Sequence, residues 1–132
     1  MVGYPTSTEP PPNEEITKIL REAKTIAVVG LSPRPERDSH MVASYLISQG
    51  YEVIPVNPTV NEVLGKRSYP DLLSIPEAVD LVDVFRRPSE VIPVVEEAIK
   101  IGAPAIWFQD GVINEEAVSM ARQSGLSVVM DR

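Results

Sequence analysis

Short apolar runs alternate with amphipathic runs along almost the whole chain, and that alternation limits the folds open to it. Thr25 to Val29, Tyr51 to Asn57, Leu81 to Arg86, Ala105 to Phe108 and Ser127 to Met130 read as strands, with a short edge strand near Lys66 to Tyr69. Between them lie segments with helical spacing. Asn13 can cap a helix carrying Ile16, Ile19, Leu20 and Ala23 on one face. A second helix is expected from Ser39 to Gln49, with Val42, Tyr45 and Leu46 inward and Gly50 as its C-terminal cap. Leu72 to Ile75 adds a helical turn, and further helices are expected over 89–101, closed by Gly102, and over 115–124, closed by Gly125. Strands that alternate with helices pair in parallel through right-handed crossovers, because each helix returns the chain to the same end of the sheet. The expected fold is therefore α/β, a doubly wound, mainly parallel five-stranded sheet of order 3-2-1-4-5 with helices on both faces.

Composition narrows the class. A chain of 132 residues, 43% hydrophobic, can bury one sizeable core, expected over residues 13–132. Residues 1–12, MVGYPTSTEPPP, hold four of the 13 prolines and no apolar periodicity, and read as a tail. No run of about 18 apolar residues suggests a membrane span, and no basic then apolar start suggests a signal peptide. A cytoplasmic protein is expected. With no cysteine and one histidine, disulfides, thiolate chemistry and an ordinary zinc site are not expected. The net charge of −7 argues against broad binding to nucleic acid or to an anionic membrane.

In a doubly wound sheet, ligands bind outside the carboxyl ends of the strands. The segments leaving those ends are Gly30-Leu31-Ser32-Pro33-Arg34 with Arg37, then Asn57-Pro58, Arg86-Arg87-Pro88 and Gln109-Asp110-Gly111. Four arginines gather there, and Lys66 and Arg67 bring the total to six of the 12 basic residues. Such a concentration in an acidic chain points to a multiply charged anion. Arginine forks match phosphate oxygens, and the free N–H groups opening the second helix add partial positive charge. The loop after the first strand has a lone glycine, where the dinucleotide fingerprint has three, and Pro33 and Pro35 remove donors. Side chains of Ser32, Arg34, Arg37 and Ser39 are expected to replace them. NAD is disfavoured, because Asn57 stands where such sites usually place an acid. Trp107 and Phe108 lie within an apolar strand and read first as packing residues, although Phe108 or Phe85, at a strand end, could flank an adenine ring. His40 reads as a surface or capping residue and Tyr45 as core. Asp83 and Asp110 could act as acids or bases, yet no nucleophile with a nearby base is legible, so no catalytic and no metal-ligating residue is assigned.

The stretches GLSPRPERDSHMVASYL, GYEVIPVNP, VDVFRRPSEV, GVINEEA and GLSVVMDR together resemble the small stand-alone CoA-binding domain proteins. That family is similar to the CoA-binding domain of the succinyl-CoA synthetase alpha subunit and of ADP-forming acetyl-CoA synthetases. The resemblance spans about residues 14 to 132 and implies a Rossmann-like fold with coenzyme A as ligand. By it, Gly30, Leu31, Ser32 and Pro33 would contact the cofactor, Asn57 and Pro58 would lie beside the adenosine, and Phe108, Gln109, Asp110 and Gly111 would line the site. Arg86 and Arg87 fall on the family's FRRP motif. The synthetases' catalytic histidine sits on another domain, and their basic residue after the strand-two proline is matched here by Thr59. The reading is a CoA or acyl-CoA binding protein, non-catalytic on its own. Its rivals are a CoA-binding subunit that works with a partner enzyme of the acyl-CoA ligase type, and a regulator sensing NAD or an adenine nucleotide. Either a monomer or a homodimer formed at the apolar edge of Trp107 and Val128 to Met130 is compatible with the pattern.

Overall fold

The structure, a computed structural model, describes residues 12–109 and 114–130. Helix α1 spans Pro12–Glu22, and strand β1, Thr25–Val29, follows it. Then come α2 (Asp38–Ser48), β2 (Glu52–Val56), and the two-residue strands β3 (Glu62–Val63) and β4 (Lys66–Arg67). The second half holds β5 (Leu81–Val84), α3 (Val91–Lys100), β6 (Ala105–Phe108), α4 (Glu115–Gln123) and β7 (Ser127–Met130). Strands β2-β1-β5-β6-β7 form one sheet, and every pairing in it is parallel. This is the expected Rossmann-like arrangement. The third position of the 3-2-1-4-5 order, outside β2, is held by a single parallel bridge from Tyr69 to Val56.

Parallel strands covered on both faces read as unbroken apolar runs, and β1 shows why. Ile26 and Val28 point into a layer with Leu46 and the partly buried Ile19 and Leu20, whereas Ala27 and Val29 pack with Val95, Ala98 and Ala121 on the other face. The sheet thus has α1 and α2 on one side and α3 and α4 on the other. Asp80 fixes the entry to β1, its Oδ2 accepting the N–H groups of Lys24 and Thr25 at 2.9 Å. Lys66 and Arg67, expected near a short edge strand, form β4 and pair with Glu62 and Val63 in an antiparallel hairpin. The Arg67 guanidinium lies 5.1 Å from the Tyr69 ring centroid. On the far edge, Val128 and Val129 are buried and Trp107 and Met130 half-buried.

Helix α2 corrects one expectation. Its buried residues are Ser39, Ala43 and Leu46, and Tyr45 is 63% exposed. Once Ser39 is drawn inward by its bond to the preceding loop, the inward stripe runs i, i+4, i+7 and Tyr45 falls off it. After the helix, Gly50 (φ +96°) lets the Tyr51 N–H reach back to the Leu46 carbonyl. Tyr45→Ser is therefore expected to change unfolding free energy by no more than about 0.5 kcal/mol. Leu46→Ala, three per cent exposed in the wild type, is expected to lose about 2–5 kcal/mol in urea titration.

Candidate functional site at the carboxyl edge

Strand β1 has β2 on one side and β5 on the other, so the chain's winding reverses beside it. At the carboxyl ends of β1, β5 and β6 lies an open cavity of about 410 Å³. Gly30, Ser32, Arg37, Asp38, Ser39, Phe85, Arg86, Arg87, Pro88 and Gln109 line it.

Gly30 is demanded by packing between backbones. Its φ is +87°, and a Cβ added there would stand 2.3 Å from the Phe85 carbonyl oxygen. Its N–H donates to Val56 O at 2.8 Å, while the Phe85 N–H donates to Val29 O at 2.8 Å. The ends of β2, β1 and β5 are thereby stitched together at this one residue. Gly30→Ala is expected to cost about 1–3 kcal/mol for the backbone conformation alone. The clash with Phe85 adds to that, so the variant should lose more stability than Gly50→Ala, whose added Cβ meets nothing within 4 Å. Chemical denaturation of the two variants measures the difference.

Side chains, not glycines, shape the loop that follows. The Ser32 N–H donates to Ser39 Oγ at 3.0 Å, the Ser32 Oγ accepts the Arg34 N–H at 3.1 Å, and His40 Nδ1 lies 3.0 Å from the Ser32 carbonyl. Asn57 holds the same loop from the end of β2, its Nδ2 donating to Leu31 O at 3.0 Å and its Oδ1 accepting from the Thr59 N–H and hydroxyl. Leu31 is fully buried under this loop and Pro33 is exposed on it.

The arginines divide into two groups. Arg34 stands on the outer rim and pairs with Glu36 at 2.7 Å. Arg37, Arg86 and Arg87 line the cavity, and among the described residues none of them has an ion-pair partner. Arg37 also stands at the N-cap of α2, which lacks a side-chain cap. The first N–H groups of a helix have no intrahelical acceptor, so this end adds donors to the same wall. Among the described residues Asp38 is the one carboxylate on that wall.

Pro88 lines the cavity, and Asn114, which does not, holds it from outside. Asn114 caps α4 by accepting the Ala117 N–H at 3.0 Å, and its Nδ2 donates to Pro88 O at 2.8 Å. One residue therefore ties the segment after β5 to the start of α4. A cap ahead of Glu115-Glu116 was the available signal; its second bond has no sequence signature. Phe85 is half-buried at the cavity, whereas Phe108 is 1% exposed and packed in the core beneath α3 and α4. Pro58 is exposed beside Asn57, and Asp110 and Gly111 lie outside the described residues.

A parallel α/β sheet with Arg37, Arg86 and Arg87 lining one cavity at its switch point has the arrangement of a nucleotide-type binding domain. The chain belongs to the CoA binding domain family, whose pattern matches residues 24–132. It is 47% identical to the uncharacterized protein YneT of Bacillus subtilis, over 92% of this chain and 90% of that one. A solved hypothetical protein from Pyrococcus horikoshii OT3 superposes with a TM-score of 0.89 at 45% identity, covering 96% of this chain and 91% of that one. Acetate–CoA ligase [ADP-forming] I of Archaeoglobus fulgidus is 30% identical over 80% of this chain, which spans 17% of the ligase's length.

Proposed function

We propose that this protein binds coenzyme A or an acyl-CoA in the cavity at the carboxyl edge and catalyses no reaction on its own. The observation that carries this reading is the set of three arginines, Arg37, Arg86 and Arg87, that share one cavity without a carboxylate partner among the described residues of a chain with net charge −7. Uncompensated guanidinium groups on one wall suit a ligand with several phosphates. About 410 Å³ lies within the usual range of roughly 300–1,000 Å³ for small-ligand sites.

The donor set fits coenzyme A in a definite order. Arg37, the first N–H groups of α2, Arg86 and Arg87 surround the diphosphate, and the 3′-phosphate, carried on the ribose, lies on the base's side of it. The thiol arm runs past Phe85 toward Gln109, and the base lies toward Pro58, over the loop that Asn57 holds. Ser32 and Ser39 shape the floor. Gly30 brings the two phosphate-binding segments together without itself offering an N–H, since that group is bonded to Val56. The binding unit is residues 13–132, and its setting is the cytoplasm.

A second reading has the chain supply CoA to a separate enzyme chain. The similarity to an acetate–CoA ligase, of whose length this chain spans 17%, favours it. In both readings CoA is the ligand. Calorimetric titration with CoA, 3′-dephospho-CoA and NAD tests it. CoA is expected to bind more tightly than the other two. Arg37→Ala and Arg86→Ala should each weaken CoA binding about 10- to 100-fold, the worth of a charged hydrogen bond at roughly 1.5–3 kcal/mol. Asp38→Asn should strengthen it by a smaller factor. Clear binding of NAD with none of CoA would replace this reading with nucleotide sensing.

A further inference from the structure

Asp83 occupies the middle of β5 and is 0% exposed. Its register partners are Val28 on one side and Trp107 on the other, in a layer otherwise built from Ile26, Leu81, Leu31 and Ala105. A valine or leucine would pack there without the cost of taking a carboxyl group out of water. The carboxyl group instead reaches Gln109, whose Nε2 donates to Asp83 Oδ1 at 2.6 Å. Gln109 lies just past the end of β6, its own N–H on the Val84 carbonyl, and it lines the cavity.

The two ends of a glutamine amide are chemically opposite, one a double donor and one an acceptor. Asp83 Oδ1, accepting from Nε2, holds the nitrogen end toward the core and leaves Oε1 as the acceptor that side chain can offer to the cavity. We propose that Asp83 is a positioning residue that presents the Gln109 carbonyl oxygen to the ligand, so that a cavity rich in donors for phosphate carries one oriented acceptor for an N–H group. The phosphates bind at one wall and the N–H reads the rest of the molecule at the other. This selects among ligands that carry the same phosphates. The proposal rests on CoA being the ligand, and with the base toward Pro58 the N–H that reaches Gln109 is an amide of the pantetheine arm.

The test compares CoA with adenosine 3′,5′-bisphosphate, which lacks the arm, by calorimetry on the wild type, Gln109→Met, Asp83→Asn and the double variant. Gln109→Met is expected to weaken CoA about 3- to 10-fold, the range of a neutral hydrogen bond. Asp83→Asn, which lets the amide turn either way, should weaken it by part of that factor. In the double variant the second change should add nothing, because Asp83 acts through Gln109. The arm amide requires the bisphosphate to bind all four proteins alike; a fall in its affinity parallel to that of CoA would put the base at Gln109 and overturn the assignment. Unchanged CoA affinity in Gln109→Met, or an equal loss from Asp83→Asn with and without Gln109, overturns the proposal. A nitrogen-15 spectrum of the free protein reads the pairing without any ligand. One Gln109 side-chain proton should resonate downfield and exchange slowly, and should lose both features in Asp83→Asn. If that signature holds while the wild type binds no CoA, the CoA reading fails and the oriented amide stands; if the signature is missing, the orienting role of Asp83 fails.

Discussion

The close passage of Gly30 beneath the Phe85 carbonyl is the contact on which the rest of the site depends. Two strands of a parallel sheet can run side by side with any residues, but their exits can converge only where one backbone yields its Cβ. Because Gly30 does so, the segment after β1 and the segment after β5 leave the sheet into one crevice. Arg37 arrives from the first and Arg86 and Arg87 from the second. The sequence question raised by a lone glycine thus has a structural answer: it serves convergence, and the loop's shape comes from elsewhere.

That shape comes from a ring of polar side chains around Ser32 and Leu31. Ser39, His40 and Asn57 each occupy a backbone group of the loop, with the prolines limiting what remains. A glycine-rich loop offers its N–H groups to phosphate; this one has given the Ser32 N–H to Ser39. Affinity for an anion must then rest on guanidinium groups and on the exposed start of α2. Electrostatics that depend on three side chains can be removed one at a time, unlike a backbone cradle.

Much of the architecture was legible because parallel strands buried on both faces leave an unmistakable run, as in Thr25 to Val29, and because Gly50 marks a helix end in any context. The order of strands was also recoverable, since right-handed crossovers leave few choices. What escaped was direction within an element. Tyr45 lies one step off the stripe that Ser39 anchors, and nothing in its neighbours discloses a bond between Ser39 and Ser32. Phe108 and Phe85 both end strands, yet the period of two sends one ring into the core and leaves the other at the cavity. Arginines could be gathered at the edge from the sequence, but the split between Arg34, paired with Glu36, and the cavity-lining three needs coordinates. The Asp83–Gln109 contact joins residues 26 positions apart and has no local trace.

In the proposed complex the ligand's phosphates sit where β1, β5 and α2 converge. Backbone amide shifts in a CoA titration followed by two-dimensional NMR measure this directly. The account predicts that the large shifts fall at Gly30 to Ser39, Phe85 to Arg87 and Gln109. Perturbations confined to the opposite end of the sheet, around the second cavity lined by Leu20, Lys24, Gly50 and Glu52, would contradict it.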